Sequence, residues 1–458
     1  MEKRSKGKKT SEGGHSGPDV EAVLAAYPKI MLRPGKEESL KRFHPWIFSG
    51  AINPDGSPKG LQEGDTVCVC SDKGDFLAVG QLQIGSIAVR VLSFEPEIID
   101  EAFYYRRLGN ALRLRFALDL IRPDRQIYRL VHGEGDHLPG LVIDVYGETA
   151  VMQAHTVGVH LHRHMIAEAL WRVFEEAFGR PGSLPLTGHE EAKALGLKLE
   201  WTRLKRIYYK SESTLPYKAE VEKRNEYLKG ESPASGEGAA ASAASARENG
   251  LIFLPNWEEG QKTGFFIDQR DNRALVGRYA ECRYVLNMFC YTGGFSVYAL
   301  AGGAMQVDSV DASARAMALT DAHVQANFGG TPVAACHRSF TQDAFEYLDN
   351  MPKGAYDMIV LDPPAFAKHR DVLHQALQGY RKLNAKAIEK IAPRGWIFTF
   401  SCSQAVDKEH FRQAVFSAAA ASGRRVRIVQ MLSQGADHPI NIYHPEGEYL
   451  KGLLLYVE

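Results

Sequence analysis

Apolar and polar positions along this chain fall into three different rhythms. Residues 28 to about 97 carry short β-prone runs, HPWIFSGAI, TVCVC, FLAVGQL and IAVRVLSF, separated by the turn-rich stretches NPDGSPKG and SDKG. This is the pattern of a small β-rich module. Between 100 and 120, Phe103, Leu108, Leu112, Leu114 and Leu118 stand among arginines, which predicts an amphipathic helix opening a second unit. In that unit RLVHGEGDHLPGLVIDVYG predicts two strands around a Gly/Pro loop and HTVGVHLHRHMIAEALWRVFEEAF a following helix, giving it an α+β character.

The run 211–249 starts with charges and ends in SPASGEGAAASAASAREN, which lacks the large apolar residues that hold a packed conformation. A flexible insertion is expected there, with LIFLPNW at 251–257 resuming the sheet of the middle unit. From Tyr284 onward the third rhythm sets in, with YVLNMF, MQVDSVD, PVAACH, YDMIVLD, WIFTFS, VRIVQM and YLKGLLLYV alternating, at first, with helical segments. These seven strands imply an α/β fold with a doubly wound, mostly parallel sheet. Only QGADHPINIYHPEGE separates the last two, which predicts a closing antiparallel pair. The expected organisation is therefore a disordered basic tail at 1–27, a β-rich unit at 28–100, an α+β unit at 101–260 and an α/β unit at 261–458.

At 458 residues, 45% apolar and 24% charged, the chain can bury several cores. Lysines plus arginines equal aspartates plus glutamates, so no bulk basic field draws it to nucleic acid and any such contact must be local. The cations Lys3, Arg4, Lys6, Lys8 and Lys9 are one such locality. They read either as a solubilising tail or as an RNA-contacting arm. No apolar stretch follows them, and no segment reaches the ~18 consecutive apolar residues of a membrane span, so a soluble cytoplasmic protein is expected. Six cysteines without paired C-x-x-C spacing predict free thiols and no metal site.

In doubly wound sheets ligands sit at the carboxyl ends of the strands. The first strand ends in Asn287-Met288-Phe289-Cys290-Tyr291-Thr292-Gly293-Gly294, where paired glycines let the backbone turn sharply. There is no G-x-G-x-x-G or G-K-[ST] spacing, which weakens both nucleotide-phosphate readings. The second strand ends at Asp311, eighteen positions beyond Gly293, where a carboxylate suits a ribose diol. Asp343 follows the third strand and reads equally as a ligand to an adenine amino group or as a helix cap. The fourth ends in Leu361-Asp362-Pro363-Pro364, whose prolines fix the backbone and leave carbonyls free.

These residues resemble the S-adenosylmethionine-dependent methyltransferase fold. More narrowly, QKTGFFIDQRDNR, NMFCYTGGFSVYALAGGA, DSVDAS, LDPPAF and FTFSCS together resemble the ribosomal RNA large subunit methyltransferase I family of 23S rRNA cytosine-C5 enzymes. The resemblance runs from about residue 28 to the end, the run 211–249 apart. It implies a PUA RNA-binding module over HPWIFSGAI, and S-adenosylmethionine as cofactor. It also implies that Asn287, Tyr291, Thr292, Gly293 and Gly294 surround the methionine part, that Asp311 with Ala312 and Ser313 holds the ribose, and that Asp343 meets the adenine. Asp362 and Pro363 would close the site, while Thr263, Phe265, Gln269 and Arg270 would cover it from outside the sheet.

Cytosine C5 is a poor nucleophile, and covalent addition of a thiolate at C6 activates it. Among the cysteines only Cys402 sits just past the end of a late core strand, in Phe400-Ser401-Cys402-Ser403. On this reading Cys402 attacks C6 and Asp362, on the neighbouring strand, orients the flipped base through its N3/N4 edge. Families with two catalytic cysteines carry the second after the paired prolines, where this chain has Ala365, so the match is to a single-cysteine type. One rival reading is guanine-N7 or exocyclic-amine methylation, where D-P-P precedes an aromatic, although Phe366 stands one residue late. Another is a noncatalytic RNA-binding protein with a degenerate cofactor fold. Lys36, Lys41, Arg42, His44 and Trp46 combine cations with an aromatic, suited to phosphate contact and stacking on an unpaired base or simply to surface solvation. Ribosomal RNA or an assembling large subunit is the expected partner, and homodimerisation is left open.

Overall fold

The computed structural model describes residues 20–179, 203–232, 245–366 and 372–458. The basic cluster at Lys3–Lys9 therefore lies outside the described residues, as do 233–244 of the expected insertion.

The first sheet has the order β1-β3-β4-β5-β2, built from β1 (Lys29–Met31), β2 (Trp46–Phe48), β3 (Thr66–Cys70), β4 (Phe76–Leu82) and β5 (Ile87–Ser93). The expected tail at 1–27 is corrected at its end, because Val20–Ala26 forms a helix and fully buries Val23. That valine belongs to a core shared by Cys68, Cys70 and Val79 of this sheet with Leu108 and Leu112 of the helix Glu101–Ala117. The helix begins where predicted, with the Asp100 side chain accepting from the Phe103 amide, a cap that satisfies one orphan donor of the first turn. Apolar burial thus continues from the first unit into the second.

The middle sheet runs β10-β9-β8-β7-β6, from β6 (Ile127–His132), β7 (Leu141–Tyr146), β8 (Thr149–Ala154), β9 (Arg206–Lys210) and β10 (Asn225–Lys229). Two expectations fail here. Residues 225–229, placed in a flexible insertion, pair antiparallel with β9, where Tyr227 packs at a tilt against Tyr208 at 4.8 Å, an apolar contact hidden in a charged run. The LIF run does not resume this sheet either: β12 (Leu251–Phe253) pairs with β11 (Ala246–Glu248) in a separate two-stranded ribbon.

The third sheet has the order β15-β14-β13-β16-β17-β19-β18, from β13 (Tyr284–Met288), β14 (Gln306–Asp311), β15 (His337–Thr341), β16 (Met358–Leu361), β17 (Gly395–Ser401), β18 (Val426–Ser433) and β19 (Lys451–Val457). The first five pair in parallel and β19 inserts antiparallel between β17 and β18. Alternate residues of β13 and β16 enter different cores, Val285 and Val360 on one face, Leu286 and Ile359 on the other, so burial on both faces explains their unbroken apolar runs. The third strand is displaced from the prediction: PVAAC folds as a 3-10 turn opened by Pro332, and the strand is the following HRSFT. Proline at the start of such a turn loses no needed donor.

Candidate active site

The carboxyl ends of β13, β14, β16 and β17 open on one cavity of about 410 Å³, within the size range of small-molecule sites. Between β13 and the helix Gly294–Ala301 the chain makes a turn in which Phe289, Tyr291 and Gly293 have φ of 56°, 47° and 73°. Only the glycine adopts this region without penalty; the other two cost roughly 1–3 kcal/mol each and persist where their surroundings over-determine them. Here the turn is held from three sides. The Tyr291 amide donates to Asp311 Oδ2 at 2.9 Å, and Thr320 Oγ1 donates to the Tyr291 carbonyl at 3.1 Å. His323 accepts the Leu254 amide on Nε2, so its Nδ1 carries the hydrogen that meets the Thr292 carbonyl at 2.7 Å.

Of the predicted residues, Phe265, Gln269, Tyr291, Thr292, Gly294, Asp311, Ala312, Ser313, Asp343, Asp362, Pro363 and Cys402 line the cavity. Asp311 accepts the Tyr291 and Ser313 amides, one on each oxygen, leaving a lone pair on each for a further donor. Asp343 caps the helix Ala344–Asn350 through Oδ1, as one of its two readings expects, and also lines the cavity.

Four predicted residues do not reach the cavity wall. Gly293 supplies the left-handed turn and leaves the lining to Gly294. Asn287 is buried beneath the following helix, donating to Ser296 Oγ at 2.8 Å. Thr263 donates to Asp144 Oδ2 at 2.6 Å and touches the Tyr146 hydroxyl at 2.9 Å. Arg270 forms a two-pronged pair with Asp437 at 2.8 and 3.1 Å. The physical reason is common to the last two, since a buried charge or hydroxyl must find a partner: Thr263 finds it on β7 of the middle sheet, and Arg270 in the link between β18 and β19 where the middle and third sheets meet. That junction centres on Asp437, which is fully buried and also accepts the Arg129 amide at 3.0 Å and His438 Nδ1 at 3.0 Å.

At the other end of the cavity, Asp362 accepts from Gln269 Nε2 at 3.0 Å. Burial, and after it the neighbouring Asp268, push its carboxyl up to about 7. Cys402 lies on the adjacent strand end, and burial followed by the Asp362 charge pushes its thiol up to about 11. Lys451, lowered to about 8 by burial, donates to the Ser403 and Tyr449 carbonyls at 2.6 Å each beside that thiol. Cys290, in the first turn, is also raised by burial and contacts Met317 sulfur at 3.5 Å.

Sequence reasoning missed Lys262, Phe266, Asp268, Arg273 and Leu450 as lining residues. Four of them lie inside the QKTGFFIDQRDNR run, but nothing in its periodicity says which side chains turn inward.

The expected RNA contacts divide. Lys36 and Arg42 are exposed. Lys41 pairs with Glu37 and Glu38 at 3.4 and 3.1 Å. Trp46 is corrected as an open stacking platform: its ring packs against His444 at 4.2 Å and under Arg90 at 4.9 Å, and its Nε1 donates to Glu134 at 2.8 Å. An indole N–H needs a partner once half-buried, and the adjoining units supply it. His44 faces His444 at 5.8 Å in the same junction.

The acceptors Asp311 and Asp343 at one end, and the carboxyls Asp268 and Asp362 at the other, fit a ligand bearing a ribose diol and a positive charge. Residues 226–439 match the model of the S-adenosylmethionine-dependent methyltransferase family, and residues 30–94 that of a PUA-like domain. The protein is thus an S-adenosylmethionine-dependent methyltransferase with a PUA-like domain. A protein named ribosomal RNA large subunit methyltransferase I from Tolumonas auensis is 37% identical over 433 residues, covering 93% of this chain and 98% of its own. One of the same name from Aeromonas salmonicida is 36% identical, covering 93% and 98%. The chain belongs to this family. The fold is shared with a solved structure described as a SAM-dependent methyltransferase from Streptococcus mutans, at a TM-score of 0.73 and 22% identity over 94% of this chain and 100% of that one. Among the described residues no helix is long and apolar enough to cross a membrane.

Proposed function

We propose that this protein methylates C5 of a cytosine in large-subunit (23S) ribosomal RNA, through a transient bond between Cys402 and C6. The observation that carries the reading is the meeting of a thiol and a carboxyl from adjacent strand ends, Cys402 and Asp362, in the same cavity as Asp311. The names of the curated relatives and the PUA-like first domain support an RNA substrate.

S-adenosylmethionine supplies a methyl group on a sulfonium. Asp311 would hold its ribose diol, Ala312 and Ser313 would flank it, and Asp343 would face its adenine. Tyr291, Thr292 and Gly294 would line its methionine part, and Phe265, Gln269 and Pro363 would complete the wall around it. A cytosine flipped out of its stack would reach the opposite end. A thiol held near 11 keeps its proton at neutral pH, so it needs a base. Asp362, near 7, can take that proton and pass it to ring N3 as the S–C6 bond forms. Electron density then gathers at C5, where the methyl is received.

Methylation at guanine N7 or an exocyclic amine would leave the thiol idle. An rRNA transcript carrying 5-fluorocytidine separates the two readings, since fluorine cannot leave C5 as a proton does. With S-adenosylmethionine present, the wild-type protein is expected to form an SDS-stable adduct that Cys402→Ala does not form. Continued methylation without an adduct would favour the rival. Mass spectrometry of rRNA from cells with and without the gene identifies the base.

A further inference from the structure

Cytosine methylation ends only when the C5 proton leaves, and none of the groups given a role above takes it. The cavity offers few bases. Arg273 is held by Glu248 at 2.7 and 2.9 Å, Lys451 has two carbonyl partners, and Asp343 caps its helix beside Ala344.

Asp268 differs from these. It sits on the 3-10 turn Ile267–Gln269, next to the glutamine that holds Asp362, and it lines the same cavity as Asp362 and Cys402. Its Oδ2 accepts the Tyr449 hydroxyl at 2.7 Å, while Oδ1 is buried with no hydrogen-bond partner among the described residues. Leaving such an oxygen unpaired carries the desolvation cost of a buried acceptor, and an exception of this kind in a folded protein calls for a reason. The two carboxyls of the cavity are also driven apart. Burial raises both, but around Asp268 the neighbouring His438 and Lys262 charges, the Tyr449 hydroxyl and Arg129 outweigh it and hold the group below its usual range. Divergence of this kind separates an acid from a base.

Resting on the cytosine-C5 reading, we propose that Asp268 is the base that removes the C5 proton. The C5–H bond breaks onto Asp268. The electron pair left behind restores the ring's unsaturation as the C6–S bond breaks with its electrons on sulfur. The N3 proton returns through Asp362 to that thiolate, and the proton on Asp268 is the net proton that the reaction releases. Asp362 then carries the thiol's proton at both ends of the cycle, while Asp268 takes the C5 proton only as the thiol leaves.

The test uses the full-length Asp268→Asn protein, which keeps an acceptor for Tyr449. On an unmodified rRNA transcript with S-adenosylmethionine it is expected to accumulate an SDS-stable, methylated protein–RNA adduct that resolves at least ~100-fold more slowly than in the wild type. On 5-fluorocytidine RNA, variant and wild type are expected to trap alike, because addition and methyl transfer do not need this base. Wild-type turnover by Asp268→Asn on unmodified RNA overturns the proposal. So does failure of the variant to trap on fluorinated RNA that the wild type captures. If the wild type itself does not trap there, the covalent reading falls first, and this assignment with it.

Discussion

The cavity at the strand ends and the connection between β1 and β2 meet different demands. In the cavity the charged groups are fixed from behind: Asp362 by Gln269, Arg273 by Glu248, Asp311 by two amides. In the connection between β1 and β2, Lys36 and Arg42 stand in solvent, while the aromatic group expected beside them, Trp46, is committed to Glu134, Arg90 and His444. Chemistry at a single carbon needs atoms held to fractions of an ångström, whereas attraction of a phosphate backbone works through mobile, solvated cations. The same residue types therefore mean different things in the two places.

The contrast breaks most sharply at the thiol. Cys402→Ala should lower methyl transfer by roughly three or more orders of magnitude, as loss of a covalent nucleophile does, while calorimetry finds S-adenosylmethionine affinity unchanged. Retained turnover would remove the chemical half of the contrast. Next in size is a pH effect. Because the Asp362 carboxyl is raised to about 7, it is increasingly protonated below that pH and cannot receive the thiol proton. The expected kcat/KM therefore rises roughly tenfold per pH unit up to about 7 and then levels, and Asp362→Asn should abolish that limb. Smallest is the surface effect. The pair Lys36→Ala and Arg42→Ala should weaken binding to an rRNA transcript and flatten the slope of log K against log salt by about 2, with cofactor affinity intact. Substitution is a cleaner test than deletion of the first sheet, whose Cys68, Cys70 and Val79 share a core with Leu108 and Leu112.

Much of the cavity was legible in sequence because strand ends announce themselves. Buried strands are apolar runs, and the polar residue that terminates each one sits on the rim by topology; Asp311, Asp362 and Cys402 all follow this rule. What stayed hidden depends on contacts distant in sequence. Thr263 and Arg270 stand within the same run as Phe265 and Gln269, yet face away to Asp144 and Asp437, partners more than a hundred positions away that no local pattern names. Glu248 illustrates the same limit from the other side, because it ends a run read as flexible and nevertheless pairs with Arg273 of the cavity.

The link between β18 and β19 passes through Asp437, Pro439, Asn441 and His444. Asp437 takes the Arg129 amide, Asn441 donates to the Glu134 carbonyl, His444 meets Trp46, and a methyl group added at Gly135 would lie 1.9 Å from the Pro439 carbonyl oxygen. One hairpin thus works as a keystone, seated against both neighbouring sheets at once. The span from Lys36 and Arg42 to the sulfur is consequently set by masonry rather than by a tether.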